Sequence, residues 1–167
     1  MTINVDVREP RLADQAAFLS AVRNSRTLHH PWVTPPDTPT KFRAYVERMG
    51  NPPNQGFLVC RCDSGALIGA INITNIVLGA FCSGYLEYYA FAGRERQGLM
   101  REGLQAVVWQ AFKSLKLHRL EANIQPANAA SIALVMSCGF SKEGYSPRYL
   151  KIGGRWRDHE RWAILAP

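Results

Sequence analysis

Apolar positions along the chain follow two rhythms, every second residue and every third or fourth, and the switches between them mark out the elements. Thr2–Val7 (TINVDV) alternates and predicts a first strand. Leu12, Ala16, Leu19 and Val22, with Phe18 beside them, then predict a helix capped by Asp14 or a residue just before it. Thr38-Pro39 predicts a second helix start, an N-cap followed by proline at the first helical position. Phe42, Tyr45, Val46 and Met49 form its apolar face, and Gly50 closes it ahead of Asn51-Pro52-Pro53. Strands follow at Gly56–Cys62 and Leu67–Thr74, joined by the turn Asp63-Ser64-Gly65, and Asn75–Ser83 leads as a hairpin connection into a third.

The rest of the chain is arranged around Gly84–Leu115. Its first half is strand-like and rich in tyrosine. Its second half places Leu104, Val107, Val108, Ala111, Phe112 and Leu115 at the spacing of an amphipathic helix. Beyond it, His118–Gln125 alternates as a strand, and Asn128 caps a helix with Ile132, Val135 and Met136 turned inward. That helix ends at Gly139, with Phe140 folding back. Tyr145–Leu165 predicts a hairpin turned at Gly153-Gly154, a pair suited to positive φ.

With 167 residues and no repeats or low-complexity linker, a single domain, 1–167, is expected. Such a chain buries roughly 70% of its unfolded surface without staples. No apolar run reaches the length of a membrane span, and Met1–Glu9 lacks the apolar core of a signal peptide, so a cytoplasmic location is expected. The four cysteines (Cys60, Cys62, Cys82 and Cys138) have no CxxC spacing and are read as buried free thiols, with no metal site. The formal charge of +7 favours polyanionic partners such as phosphates, acidic peptides or RNA, without choosing among them.

Two stretches carry candidate chemistry. Between the central strand and its helix lies Arg94-Glu95-Arg96-Gln97-Gly98-Leu99-Met100-Arg101, a basic loop with a glycine where the helix begins. A strand opening onto a helix N-terminus presents unpaired N–H groups backed by the helix dipole, which suits a phosphate or pyrophosphate. The loop lacks both the spaced glycines of a dinucleotide fingerprint and the Gly-Lys-Ser/Thr of a P-loop, which disfavours NAD and ATP. The second stretch is Asn24–Asp37, with three prolines and Trp32. Either Trp32 plugs the core, or His29, His30 and Trp32 line an acceptor pocket.

The order strand, two helices, three-strand meander, basic loop and helix, strand, helix, final hairpin resembles the Gcn5-related N-acetyltransferase (GNAT) superfamily. The family's phosphate loop reads Gln/Arg-x-x-Gly-x-Gly/Ala. The corresponding stretch here has Glu95 at the first position and Met100 at the last, with Arg94 and Arg96 to supply positive charge. Pro126-Ala127-Asn128-Ala129-Ala130-Ser131, Cys138-Gly139-Phe140 through Tyr145, Gly154-Arg155-Trp156-Arg157-Asp158-His159 and the early His30-Pro31-Trp32 resemble the RimJ/RimL branch, the ribosomal-protein-alanine N-acetyltransferases.

The resemblance implies an α/β (α+β) fold: a mixed, mostly antiparallel sheet with about four helices, whose splayed central strand pair holds the arm of acetyl-CoA. It implies cofactor contacts at Tyr89, Ala90, Phe91, Arg94, Arg96, Gln97, Gly98, Leu99, Met100 and Arg101, with Asn128 and Ser131 at the thioester end. Val135 stands where some relatives carry a tyrosine acid, so Ser131 is expected to serve the leaving thiol, or else only to cap its helix. Glu121 is the favoured base, Glu87 the weaker one, and a solvated or arginine-paired Glu121 is the alternative. His30, Trp32, Glu87 and Trp156 are expected around the acceptor. That acceptor is expected to be a protein or peptide N-terminal α-amine, with a small amine or antibiotic as the alternative. A non-catalytic module docking on RNA or the ribosome is disfavoured by the intact loop and the Asn128/Ser131 pair, and neither membrane nor nucleic-acid contact is expected.

Overall fold

The computed structural model describes residues 4–93 and 95–167, so Thr2 and Ile3 of the first predicted strand, and Arg94, lie outside the described residues. The elements are β1 (Val5–Arg8), a 3-10 turn (Leu12–Asp14), α1 (Gln15–Asn24), α2 (Arg26–His29), α3 (Pro39–Met49), β2 (Gln55–Arg61), β3 (Leu67–Val77) and β4 (Ser83–Ala90). They continue with α4 (Leu99–Lys113), β5 (Arg119–Ile124), α5 (Ala129–Ser137), β6 (Ser141–Ile152) and β7 (Arg155–Leu165). The strands form one seven-stranded sheet in the order β1-β2-β3-β4-β5-β7-β6. Only β4 and β5 run parallel; the other neighbours are antiparallel. This is the GNAT fold, α/β in class.

Each face of the sheet has its own core. Leu104, Val107, Val108 and Ala111 of α4 and Val135 of α5 pack on one face with Val59, Ile71, Leu86, Leu120 and Trp162. Phe18, Leu19 and Val22 of α1 and Phe42, Tyr45 and Met49 of α3 pack on the other with Leu58, Ala70, Tyr89 and Phe91. The helix rhythms therefore identified the right faces, with three exceptions. Leu12 is 60% exposed, Met136 is 58% exposed and Ala16 is exposed as well, because each falls outside the arc presented to the sheet.

Helix ends follow the side chains present. The Thr38 hydroxyl accepts from the Lys41 amide at 3.3 Å, with Pro39 opening α3. At the end of α5 the Phe140 amide donates to Val135 O and the Gly139 amide to Met136 O, both at 3.1 Å, with Gly139 at φ 90°. That two-bond closure satisfies the last carbonyls of α5 and drops Phe140 into the core. Gly153 (φ 56°) and Gly154 (φ 78°) form the predicted turn of β6–β7, although β6 begins at Ser141, ahead of Tyr145. All four cysteines are free, but only Cys60 is buried; Cys62 follows β2 and is exposed.

Candidate active site

The site is built where the sheet opens. The β4–β5 ladder runs from Ser83/Arg119 to Leu86/Ala122 and stops there, although both strands continue. Glu87–Ala90 on one side and Asn123–Ile124 on the other therefore border a gap. Phe91 donates its amide to Ile68 O at 2.7 Å, so by strand alternation Phe91 and Tyr89 pair toward β3, while Tyr88 and Ala90 turn their backbone toward the gap. An extended chain carrying amide groups, such as a pantetheine arm, finds partners at these positions. The side chains of Tyr89 and Phe91 belong elsewhere. They are packed with Phe18 and His29, where Phe18–Phe91 centroids are 5.5 Å apart and His29–Tyr89 centroids 5.4 Å. Of the three residues expected to contact the cofactor here, Ala90 is thus the one whose backbone turns to the gap side, where its amide remains because its carbonyl already accepts the His29 Nε2–H at 2.8 Å.

The loop expected to hold the phosphates opens onto α4. Gly98 stands at its N-cap with φ 75° and offers no side-chain cap, so among the described residues no cap side chain covers the first amides of this 15-residue helix, those of Leu99, Met100 and Arg101. A Cβ built on Gly98 meets nothing within 4 Å, so the approach to these amides is open. Arg96, Gln97 and Arg101 are exposed around it. These features fit a pyrophosphate: open N–H groups, a helix dipole and exposed cations. The Leu99 side chain is buried in the core, so its backbone alone is available to the loop.

The two departures from the family's loop have local causes. Glu95 accepts the Gly93 amide at 2.9 Å and so holds the loop's own backbone. Met100 lies over Gly69 of β3; a Cβ there would come within 2.5 Å of its sulfur, so the glycine provides the room that a small residue at 100 would otherwise leave.

At the other end of the gap, where the thioester is expected, Asn128 Oδ1 accepts the Ser131 amide at 3.2 Å, which starts α5. The Ser131 hydroxyl is also engaged: Tyr88 Oη lies 2.7 Å from Ser131 Oγ and 3.3 Å from Ser131 O. No role was expected for the Tyr88 side chain. Its alternation along β4 was the available signal, since Leu86 and Tyr88 share the α4/α5 face while Tyr85, Glu87 and Tyr89 point to the other. Burial pushes the Tyr88 hydroxyl well above the usual tyrosine range, against a smaller lowering by Ser131.

The carboxylates lie across the gap from Ser131, on the α1/α3 face. Glu121 sits within the closed part of the ladder, opposite Tyr85, and forms an ion pair with Arg119 at 2.7 Å. This is the arginine-paired alternative: the Arg119 guanidinium occupies a carboxylate oxygen that a base would offer to the amine. Glu87 occupies the first position past the ladder on β4, is exposed, and accepts only a 3.4 Å hydrogen bond from Thr74 among the described residues. Arg119 also binds Glu143, Lys142 binds Glu160 at 2.6 Å, and Asp158 accepts from Tyr145 Oη at 2.5 Å and the Arg148 amide at 2.7 Å.

The acceptor residues are spread more widely than expected. His29 is buried, with Nε2–H donating to Ala90 O at 2.8 Å, and so serves the scaffold; His30 is exposed. Trp32 is half-buried in a loop tied back by its amide to His29 O at 2.7 Å. Trp156 is 60% exposed beside the β6–β7 turn, and the two indoles make no ring contact among the described residues.

Residues 4–141 match the acetyltransferase (GNAT) domain, and the chain belongs to that family. It is 35% identical over 127 residues to a probable N-acetyltransferase, YjcK, of Bacillus subtilis, a match covering 76% of this chain and 70% of that protein. It is 39% identical over 105 residues to the ribosomal protein uS5-alanine N-acetyltransferase of Escherichia coli, covering 63% of this chain and 54% of the relative. Among solved structures, Mycobacterium smegmatis RimJ in complex with CoA-disulfide superposes with a TM-score of 0.89 at 27% identity, covering 97% of this chain and 82% of that one. A spermidine N-acetyltransferase from Vibrio cholerae shares the fold (TM-score 0.82) at 20% identity, with 98% and 96% of the two chains covered. The chain is an acetyl-CoA-dependent N-acetyltransferase of the GNAT family, with relatives of the RimJ/RimL type.

Proposed function

We propose that the acceptor is the α-amine at the N-terminus of a protein or peptide, beginning with alanine or serine as in the RimJ/RimL relatives, in the cytoplasm. One observation carries this reading: the carboxylates around the acceptor side are already engaged. Arg119 holds Glu121 and Glu143, and Lys142 holds Glu160, so a polycationic amine meets Glu87, which among the described residues has Thr74 and no cation as its partner. An α-amine has a pKa of about 7.7–8, against about 10.4 for lysine, and needs correspondingly less help to lose a proton.

Residues 1–167 act as one acetyltransferase domain in this reading. Acetyl-CoA supplies an activated acetyl group whose carbonyl is open to direct attack by the amine. The backbone of Tyr88 and Ala90 aligns the arm, and Leu99–Arg101 with Arg96 hold the pyrophosphate. Ser131 donates to the departing sulfur, and Asn128 fixes the start of α5. Glu87, through water, takes the amine proton, a role first expected of Glu121. His30, Trp32 and Trp156 surround the acceptor. Initial rates with an alanine-starting peptide, an N-blocked lysine peptide, spermidine and an aminoglycoside test the reading. The first should be the best substrate, and a better rate with any of the others overturns it.

A further inference from the structure

We propose that Tyr88 is a positioning residue for the leaving sulfur: its hydroxyl donates to Ser131 Oγ, which turns the Ser131 proton into the gap between β4 and β5. The proposal rests on the acetyltransferase reading of Ser131.

The geometry limits the choices. Tyr88 has one proton and faces two acceptors on the same residue, Ser131 Oγ at 2.7 Å and Ser131 O at 3.3 Å. If Tyr88 gives its proton to the carbonyl, its oxygen accepts the Ser131 hydroxyl, and Ser131 has nothing to offer a sulfur. If Tyr88 gives it to Oγ at the shorter distance, the serine proton must point elsewhere. The Ser131 backbone is already fixed by Asn128 Oδ1 on its amide, so the hydroxyl rotor is the remaining freedom, and Tyr88 sets it. Negative charge arriving at sulfur selects the second arrangement, because only then do two hydrogen bonds run in series toward it. Burial keeps Tyr88 protonated, so it acts as a fixed donor and never as the proton source.

The step balances without a further reactant. The amine nitrogen bonds to the carbonyl carbon, and the carbon–sulfur bond breaks with its electron pair left on sulfur. The surplus nitrogen proton goes to water, and sulfur takes a proton from water on release. Ser131 and Tyr88 end as they began.

Binding of free CoA tests this apart from turnover. Calorimetry near pH 9.5, above an ordinary thiol pKa of about 8.5, reads affinity for the thiolate, and desulfo-CoA serves as the sulfur-free control. Ser131→Ala should weaken CoA about tenfold to hundredfold, and Tyr88→Phe about threefold to tenfold. Desulfo-CoA affinity should be unchanged in both. In the double variant, Tyr88→Phe should add nothing to Ser131→Ala. Equal losses for CoA and desulfo-CoA would show a merely structural tyrosine, and additive losses would show that it does not act through Ser131; either overturns the proposal. A wild-type protein that binds neither ligand would instead remove the acetyltransferase reading beneath it.

Discussion

His29 donates its Nε2–H to the carbonyl of Ala90 at 2.8 Å, joining the one-turn helix α2 to the last residue of β4. Two residues on, the Ala92 amide donates to Ser25 Oγ at 2.9 Å, so α1–α2 clamps the end of the strand twice. This clamp sits on the strand that leaves β5 after Leu86, and it holds that strand's end away from further pairing.

The clamp titrates. Burial lowers the His29 pKa, opposed by the smaller effect of its bond to Ala90, and burial likewise lowers that of His159. Each group binds its proton more readily unfolded, at about 6.5, than folded. Their contributions are therefore complete above pH 6.5 and are lost as pH falls through the lower folded values. Urea denaturation between pH 7.5 and 5.5 should show stability falling with pH. His29→Gln, which retains an N–H donor, should flatten that slope without abolishing it, because His159 remains. An unchanged slope would place the titration elsewhere.

Gly98 should separate stability from binding. Its φ of 75° costs a side chain roughly 1–2 kcal/mol, yet a Cβ there meets no neighbour within 4 Å. Gly98→Val should thus remain folded with a modest loss in chemical denaturation, while acetyl-CoA affinity falls at least tenfold because the side chain stands over the Leu99–Arg101 amides. Full affinity in calorimetry would move the pyrophosphate away from α4.

Gly103 is a packing glycine. A Cβ on it would approach both γ-methyl groups of Val59 at 2.8 Å, so its absence is what lets α4 lie close on β2. Gly103→Ala should cost about 1–3 kcal/mol by overpacking. The penalty should shrink in a Val59→Ala background, where the opposing methyl groups are gone. An equal penalty in both backgrounds would assign it to something other than this contact.

The two glutamates should differ. Glu87→Gln should depress turnover most below pH 7, where an α-amine is largely protonated and depends on a base. Glu121→Gln should cost less, since Arg119 already neutralises that carboxylate and keeps Glu143 as a partner. The pH–rate profiles of both variants check this, and a larger acid-side loss for Glu121→Gln would return the base to β5.

The elements legible in the sequence were those whose signals are local. Thr38-Pro39, Gly139 and Gly153-Gly154 each determine a cap or turn by their own conformation, and each does so in the structure. The α4 stripe at Leu104, Val107, Val108 and Ala111 likewise identified its buried face. What escaped the sequence depends on partners distant along the chain. Arg119 as the partner of both Glu121 and Glu143 required the strand register, and Gly69 as the seat for Met100 required β3 to lie under α4. Tyr88 and Ser131, 43 residues apart, meet only because β4 leaves β5 next to the start of α5. The residues expected around the acceptor were the least legible: Trp32 sits in a turn with no rhythm, and Trp156, at the start of β7, is 60% exposed on an outer hairpin.

The most direct measurement locates the acetyl group on one substrate that offers both kinds of amine. A short peptide with a free N-terminal alanine and an internal lysine, incubated with the protein and acetyl-CoA, can be fragmented in a mass spectrometer to assign the added acetyl. The account predicts a single acetyl group on the α-nitrogen of the alanine, dependent on acetyl-CoA and reduced in Ser131→Ala. Acetylation on the lysine side chain, or transfer to spermidine while the peptide stays unmodified, would contradict it.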